Sequence, residues 1–197
     1  LTIANKITIT RILLIPVFVT LAIYYGASVQ SGTPNLSYRI AALATFALAA
    51  LSDGLDGFIA RHFNQATRLG RILDPIADKA LMLSAILTLS FAHWPVSLPI
   101  WFAVLVIGRD TIILVGIAII HHLNGKVHIA PHWTSKACTF FQALCIVWIM
   151  LDFRATAPQP ALLIGLAGLF TTVSGAVYVL EGIRQLKEQG HTLAETD

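Results

Sequence analysis

Charge is scarce in this chain. Its thirteen Lys and Arg and ten Asp and Glu make up 12% of 197 residues, whereas a soluble domain carries about a quarter. With 56% hydrophobic residues and a mean hydropathy of +0.77, the composition excludes an ordinary soluble globule and selects an integral membrane protein. Cysteine is scarce too: Cys138 and Cys145 stand seven apart in one apolar block. Two small apolar fillers are expected there rather than a disulfide or a metal pair. The small net charge of +3 suits a cytoplasmic leaflet and not a nucleic acid. Low-complexity tracts, internal repeats and a soluble domain are absent, so residues 1–197 read as a single membrane domain. No Met begins the chain, and a few preceding residues are expected. The first apolar block is too long, and too interrupted by Pro16, for a signal peptide.

The apolar residues come in six blocks, about 7–27, 37–59, 73–92, 97–121, 134–152 and 160–182. Each approaches the roughly 20 residues that a helix needs to cross a bilayer. The predicted fold is therefore all-α, with six transmembrane helices. Lys6, Arg11, Arg61, Arg68, Arg71, Lys126, Arg184 and Lys187 fall on one side, with only Arg39 and Arg154 near the other. The positive-inside rule places both termini in the cytoplasm. Trp94, Trp101, Trp133 and Trp148 lie mostly near span ends, as in an aromatic belt. His121, His122, His128 and His132 flank one cytoplasmic loop, match no tetrahedral metal spacing and are expected in water or at the interface.

Against this background the stretch "DGLDGFIARHFNQATRLGRILDPIAD", Asp53 to Asp78, is out of place. Membrane carboxylates are costly unless paired or bound to cations. Asp53 and Asp56 are three apart near the end of the second block, and Asp74 and Asp78 are four apart at the start of the third. Each pair shares a helix face. A short connection makes the two helices antiparallel neighbours, so the four carboxylates can meet. They cannot all stay ionised without compensation. Hard divalent cations supply it, and Mg²⁺ characteristically takes a few carboxylates plus substrate phosphates. Two such ions can clamp a phosphoryl group during displacement. Gly54, Gly57, Ala60 and Gly70 leave room beside the carboxylates, for a ligand or for close helix packing. Arg61 can offer a fork to a phosphate or serve as a flanking charge.

The spacing Asp53-x2-Asp56-Gly57-x2-Ala60-Arg61-x8-Gly70-x3-Asp74-x3-Asp78 resembles the signature of the CDP-alcohol phosphotransferases, with every fixed position filled. "NKITITR" resembles the family's opening Asn-x2-Thr-x2-Arg at Asn5, Thr8 and Arg11. Members move a phosphoryl-bearing group from a CDP-linked donor to an alcohol and release CMP. The resemblance implies that Asp53, Asp56, Asp74 and Asp78 hold two Mg²⁺ or Mn²⁺ ions, and that Asp78 takes the proton of the acceptor hydroxyl. It implies a CDP-donor site at Asn5, Thr8, Gly57, Ala60, Arg61 and Gly70, and a homodimer.

"TRILLIPVFV", the whole signature and "GRD" resemble the branch that holds phosphatidylglycerophosphate synthases and eukaryotic-type cardiolipin synthases. The expected donor is CDP-diacylglycerol, and the expected acceptor is glycerol 3-phosphate. Phosphatidylglycerol is the alternative, because Asp110 stands where Glu is frequent and "SKACTFFQ" leans towards cardiolipin synthesis. Either acceptor carries a phosphate, for which Arg71, Arg109 and Lys136 are the candidate partners. For Arg109 the competing role is a structural pair with Asp110, and for Lys136 a snorkelling side chain. Gln142 could bond a ligand or another helix. A rival of another class, a cation transporter or channel, needs polar groups along the depth of several spans. The acidic cluster instead lies at one face, the side expected to look into the cytoplasm of a bacterial inner membrane or its organelle equivalent.

Overall fold

The computed structural model describes the backbone of residues 3–62, 68–124, 133–151 and 161–194. Side chains are described within 7–52, 70, 73–120, 122, 133–151 and 161–184. Among the described residues all regular structure is helical, in six helices: α1 (Ile3–Gln30), α2 (Leu36–His62), α3 (Arg68–Phe91), α4 (Ile100–Asn124), α5 (Trp133–Leu151) and α6 (Ala161–Ala194). Four of these contain segments long and apolar enough to cross a membrane: Ile7–Gln30, Ile100–Ile120, Trp133–Leu151 and Ala161–Arg184. Of the six expected, four are met on length and composition among the described residues. The apolar part of α2, Leu36–Ser52, is shorter. In α3, Asp74, Asp78 and Lys79 occupy the early turns. In α2 the side chains beyond Ser52 lie outside the described residues.

The surfaces are as apolar as the core. Val104 and Leu114 on α4 and Leu162 and Leu180 on α6 are more than three-fifths exposed. Large apolar side chains exposed in such number belong against lipid or protein rather than water.

The chain divides into two compact units, one of residues 1–99 with 146–158, the other of 100–145 with 159–197. In the first, α1 buries Thr8, Arg11, Phe18, Ala22 and Tyr25 along one stripe, at the three- and four-residue steps of a helix face. The turn after α1 passes through Gly32, whose φ of 79° suits a residue without a Cβ. Gly32 N–H donates to the Val29 carbonyl and Thr33 N–H to that of Ser28. Asn35 then caps α2, its Oδ1 accepting from Ser37 N–H at 3.0 Å. Arg11 meets Ser52, Phe18 meets Phe46 and Tyr24 stacks on Tyr38, so α1 and α2 run antiparallel.

α3 runs parallel to α1. Thr8 meets Asp74 at one end. At the other, a Cβ on Gly26 would collide with the Ala92 carbonyl, so only glycine permits that approach. His93, at φ 54°, turns the chain back, and Trp94 donates its indole N–H to the Ala22 carbonyl at 3.0 Å. Trp94 is buried, so it leaves the aromatic belt expected of it. Its one polar atom finds a backbone partner, and its ring packs edge-on against Tyr25. A cavity of about 460 Å³ opens beside this turn, lined by Ile23, Ala27, Leu87 and Phe91 among others. It lies roughly 25 Å along α3 from Asp74, at about 1.5 Å per residue, and is not part of the acidic site. Arg39 donates its Nε–H to the Met150 carbonyl at 2.7 Å and a terminal N–H to that of Leu151, closing the C-terminal end of α5.

In the second unit α4 and α6 run parallel. Gly168 lies under the Trp101 ring, Gly175 against Arg109 and Gly182 against Ile120. α5 runs antiparallel to α6, with Cys138 against Thr171 and Phe141 stacked on Phe170.

Candidate active site

The described part of the acidic site is built by the first turns of α1 and α3 and the later turns of α2. Thr8 and Arg11 are one turn apart on the buried stripe of α1, and neither shows any exposed surface. The Thr8 hydroxyl donates to Asp74 Oδ1 at 2.6 Å. Arg11 donates its Nε–H to Ser52 Oγ at 3.3 Å. Ser52, itself bonded to the Ala49 carbonyl, immediately precedes Asp53 in α2. Two polar side chains of α1 thus reach the other two helices at the places where the sequence puts carboxylates.

Asp74 and Asp78 stand one turn apart on α3, both half-buried, on either side of buried Ala77. Gly70 is buried one turn before Asp74. Asp53, Asp56, Gly57, Ala60 and Arg61 fall within the helical run of α2, as their spacing predicts. Their side chains, with those of Asn5 and Arg71, lie outside the described residues. Among the described residues no group of three or more His, Cys, Asp or Glu gathers.

The donors that are described fit a hard cation. They are carboxylate oxygens at one helix end, and Asp74 is fixed through Oδ1, which sets the direction of Oδ2. Thr8, expected at the CDP donor, is in contact with Asp74. Ser52 carried no signal in the sequence beyond its place next to Asp53.

Arg109 and Lys136 belong to the second unit. Arg109 is buried, 9% exposed, and lies against Asp110 at 2.7 Å. Its other terminal nitrogen donates to Ser135 Oγ at 3.0 Å and to Ser174 Oγ at 2.7 Å. The guanidinium carbon sits 5.5 Å from the centre of the Tyr178 ring. Its Nε–H is buried with no partner among the described residues. The pairing with Asp110 foreseen from the sequence is present, and one donor remains for something else. Ser135 and Ser174, distant in sequence, were not singled out beforehand. Lys136 is exposed in the first turn of α5.

Gln142 bonds Thr171 Oγ1 at 3.1 Å, so of its two readings the helix-to-helix contact is the one present. Cys138 and Cys145 are both free and buried, as small fillers are. His122 is exposed, as expected; His121, His128 and His132 lie outside the described side chains.

Comparison with known proteins identifies the family. A family model for CDP-alcohol phosphatidyltransferase matches residues 1–177. The "Probable phosphatidylglycerophosphate synthase" of Mycobacterium tuberculosis is 33% identical over 185 residues, 93% of this chain and 82% of that protein. Two proteins named "CDP-diacylglycerol--glycerol-3-phosphate 3-phosphatidyltransferase" are also similar. That of Blochmanniella floridana is 32% identical over 85% of this chain and 80% of its own length. That of Escherichia coli K12 is 34% identical over 75% and 76%. With nearly the whole chain matched, and Asp74 and Asp78 standing on α3 at the spacing of the signature, this protein belongs to the CDP-alcohol phosphatidyltransferase family.

Proposed function

We propose that the chain makes phosphatidylglycerophosphate, moving the phosphatidyl group of CDP-diacylglycerol to a hydroxyl of glycerol 3-phosphate. The reading rests on its likeness, over 93% of its length, to a relative bearing the name of that synthase. In this reaction the acceptor oxygen bonds to the phosphorus that carries the diacylglycerol. The bond from that phosphorus to the CMP oxygen breaks, and CMP leaves with the electron pair. Asp78 accepts the hydroxyl proton as attack proceeds, a role open to a weak base within hydrogen-bond reach. Asp53, Asp56, Asp74 and Asp78 would hold two divalent cations, Mg²⁺ or Mn²⁺, which when bound neutralise the diphosphate and the departing CMP. Asn5, Gly57, Ala60, Arg61 and Gly70 would receive the donor. Arg71 and Lys136 are candidates for the acceptor phosphate, as is Arg109 through its unfilled Nε–H.

The same reading gives the chain six spans, with both termini and the aspartates at the cytoplasmic face, and a homodimer as its working form. The charged ends of α2 and α3 then sit at the interface, where carboxylates cost less than at the bilayer centre. Ser31→Cys should be labelled only from outside, and the detergent-solubilised protein should have the mass of a dimer.

The deciding experiment is an acceptor panel with purified protein and labelled CDP-diacylglycerol. CMP release with glycerol 3-phosphate, lost in EDTA, is the expected result. Cardiolipin from phosphatidylglycerol, with nothing from glycerol 3-phosphate, would overturn it.

A further inference from the structure

The Thr8–Asp74 bond links two residues 66 positions apart. Thr8 has no exposed surface, so its hydroxyl meets no bulk solvent. It is donor to an oxygen of a carboxylate that, on the reading above, ligates a metal. Carboxylate ligands are commonly oriented by such outer hydrogen bonds, whose loss weakens the site even though no ligand is removed. The stripe that carries Thr8 is anchored elsewhere. Arg11, one turn on, bonds Ser52, and Gly26 abuts the turn after α3. The backbone of α1 is therefore held against both neighbours by contacts independent of Thr8. A hydroxyl on that backbone has its direction set for it.

We propose that Thr8 is a positioning residue for the metal site: its hydroxyl fixes the rotamer of Asp74 and thereby the metal affinity of the acidic cluster. This inference rests on the assignment of Asp74 as a metal ligand. It concerns binding of the ion rather than contact with the nucleotide. Fixing Oδ1 restricts rotation about the Cβ–Cγ bond of Asp74, so Oδ2 is presented in one direction before the cation arrives. Without the hydroxyl the carboxylate must be ordered by the cation itself, and affinity falls by that ordering cost.

The test is Mn²⁺ binding to the purified full chain in detergent, followed by electron paramagnetic resonance without substrates. Wild type, Thr8→Val, Thr8→Ser and Asp74→Asn are compared, and thermal unfolding in EDTA reports whether each is folded. Thr8→Val is nearly isosteric and should weaken Mn²⁺ binding by about tenfold to a hundredfold. Thr8→Ser keeps the hydroxyl and should stay within about threefold of wild type, the range a retained outer bond allows. If Thr8→Val does not fold, Thr8→Ala takes its place in the comparison. Wild-type affinity in the variant that lacks the hydroxyl, or equal loss in Thr8→Ser, would overturn the positioning role. Unchanged binding in Asp74→Asn would instead overturn the metal assignment beneath it, so the two failures are distinguishable.

Discussion

The two units use the polar side chains of their helices in different ways. In the first, the polar groups that contact one another across helices gather near helix ends: Thr8 and Arg11 early in α1, Ser52 late in α2, Asp74 early in α3, while Thr45 and Ser84 bond carbonyls of their own helices. Asp74 and Asp78 are half-buried, and the contact to Asp74 fixes one of its oxygens. In the second, they lie further inside the spans and mostly bind one another. Gln142, Thr171 and Cys138 form one cluster, and Arg109 bridges α4 to α5 and α6. Groups that bind one another hold helices together; an oxygen whose partner orients it without consuming both acceptors is suited to a ligand. The Nε–H of Arg109 and the Thr134 hydroxyl, both buried without a partner among the described residues, are where the second unit departs from that division.

The largest effect that can test the contrast is at Asp74. Asp74→Asn removes a charge from the proposed metal site while preserving shape, and the Thr8 hydroxyl can still donate to the amide oxygen. Transfer to glycerol 3-phosphate should fall by at least about a hundredfold, since losing a ligand should cost more than losing an outer bond. The melting temperature in EDTA should barely move. Asp53→Asn and Asp56→Asn should behave alike. A large loss of stability at unchanged turnover would make Asp74 a structural residue and erase the difference between the units.

Arg109→Leu should act in the other order. It strips Asp110, Ser135 and Ser174 of a shared donor. Breaking a fully buried pair costs about 3–5 kcal/mol; Asp110 is 26% exposed, so about 2 kcal/mol is expected here. Thermal unfolding in detergent measures it. The Nε–H adds a second expectation: KM for glycerol 3-phosphate should rise while KM for CDP-diacylglycerol stays constant. An unmoved acceptor KM would leave Arg109 as helix glue alone and sharpen the contrast between the units.

Much of this was legible in the sequence, for identifiable reasons. The helices follow from apolar run length, and α1 to α6 fall on the six blocks, although α3 begins before its block and α6 continues past its own. The carboxylate pairs were legible because helical periodicity is rigid: residues three or four apart must share a face. Contacts between distant residues were not. Nothing local marks Thr8 as the partner of Asp74, and serines at 135 and 174 are too ordinary to announce that they share one guanidinium. Trp94 was misread because its place at a span end fits an interfacial ring and a buried one equally. What separates them is the Ala22 carbonyl, 72 residues away. For α2 and α3 the expected spans counted residues 53–59 and 73–79, which carry the aspartates; among the described residues α2 offers Leu36–Ser52 as an apolar segment and α3 offers none of spanning length and composition.

The smallest effect is expected at Gln142, where the contrast is most delicate. Gln142 is buried and bonds both Thr171 Oγ1 and Cys138 Sγ from its Nε2. Thr171 does not depend on it, since its hydroxyl already donates to the Ala167 carbonyl at 2.7 Å. Hydrogen bonds between membrane helices average about 0.6 kcal/mol, because the unfolded chain in lipid also finds partners. Gln142→Leu swaps one side chain of similar length for another and leaves Thr171 with its backbone bond. It should therefore lower unfolding stability by about that amount or less. Neither KM should change, nor should Mn²⁺ affinity, because the side chain is occupied by α6 and by its own helix. A rise in acceptor KM without a loss of stability would mean that this amide faces a ligand in the working enzyme. The second unit would then hold a binding group among residues that the described contacts account for as glue.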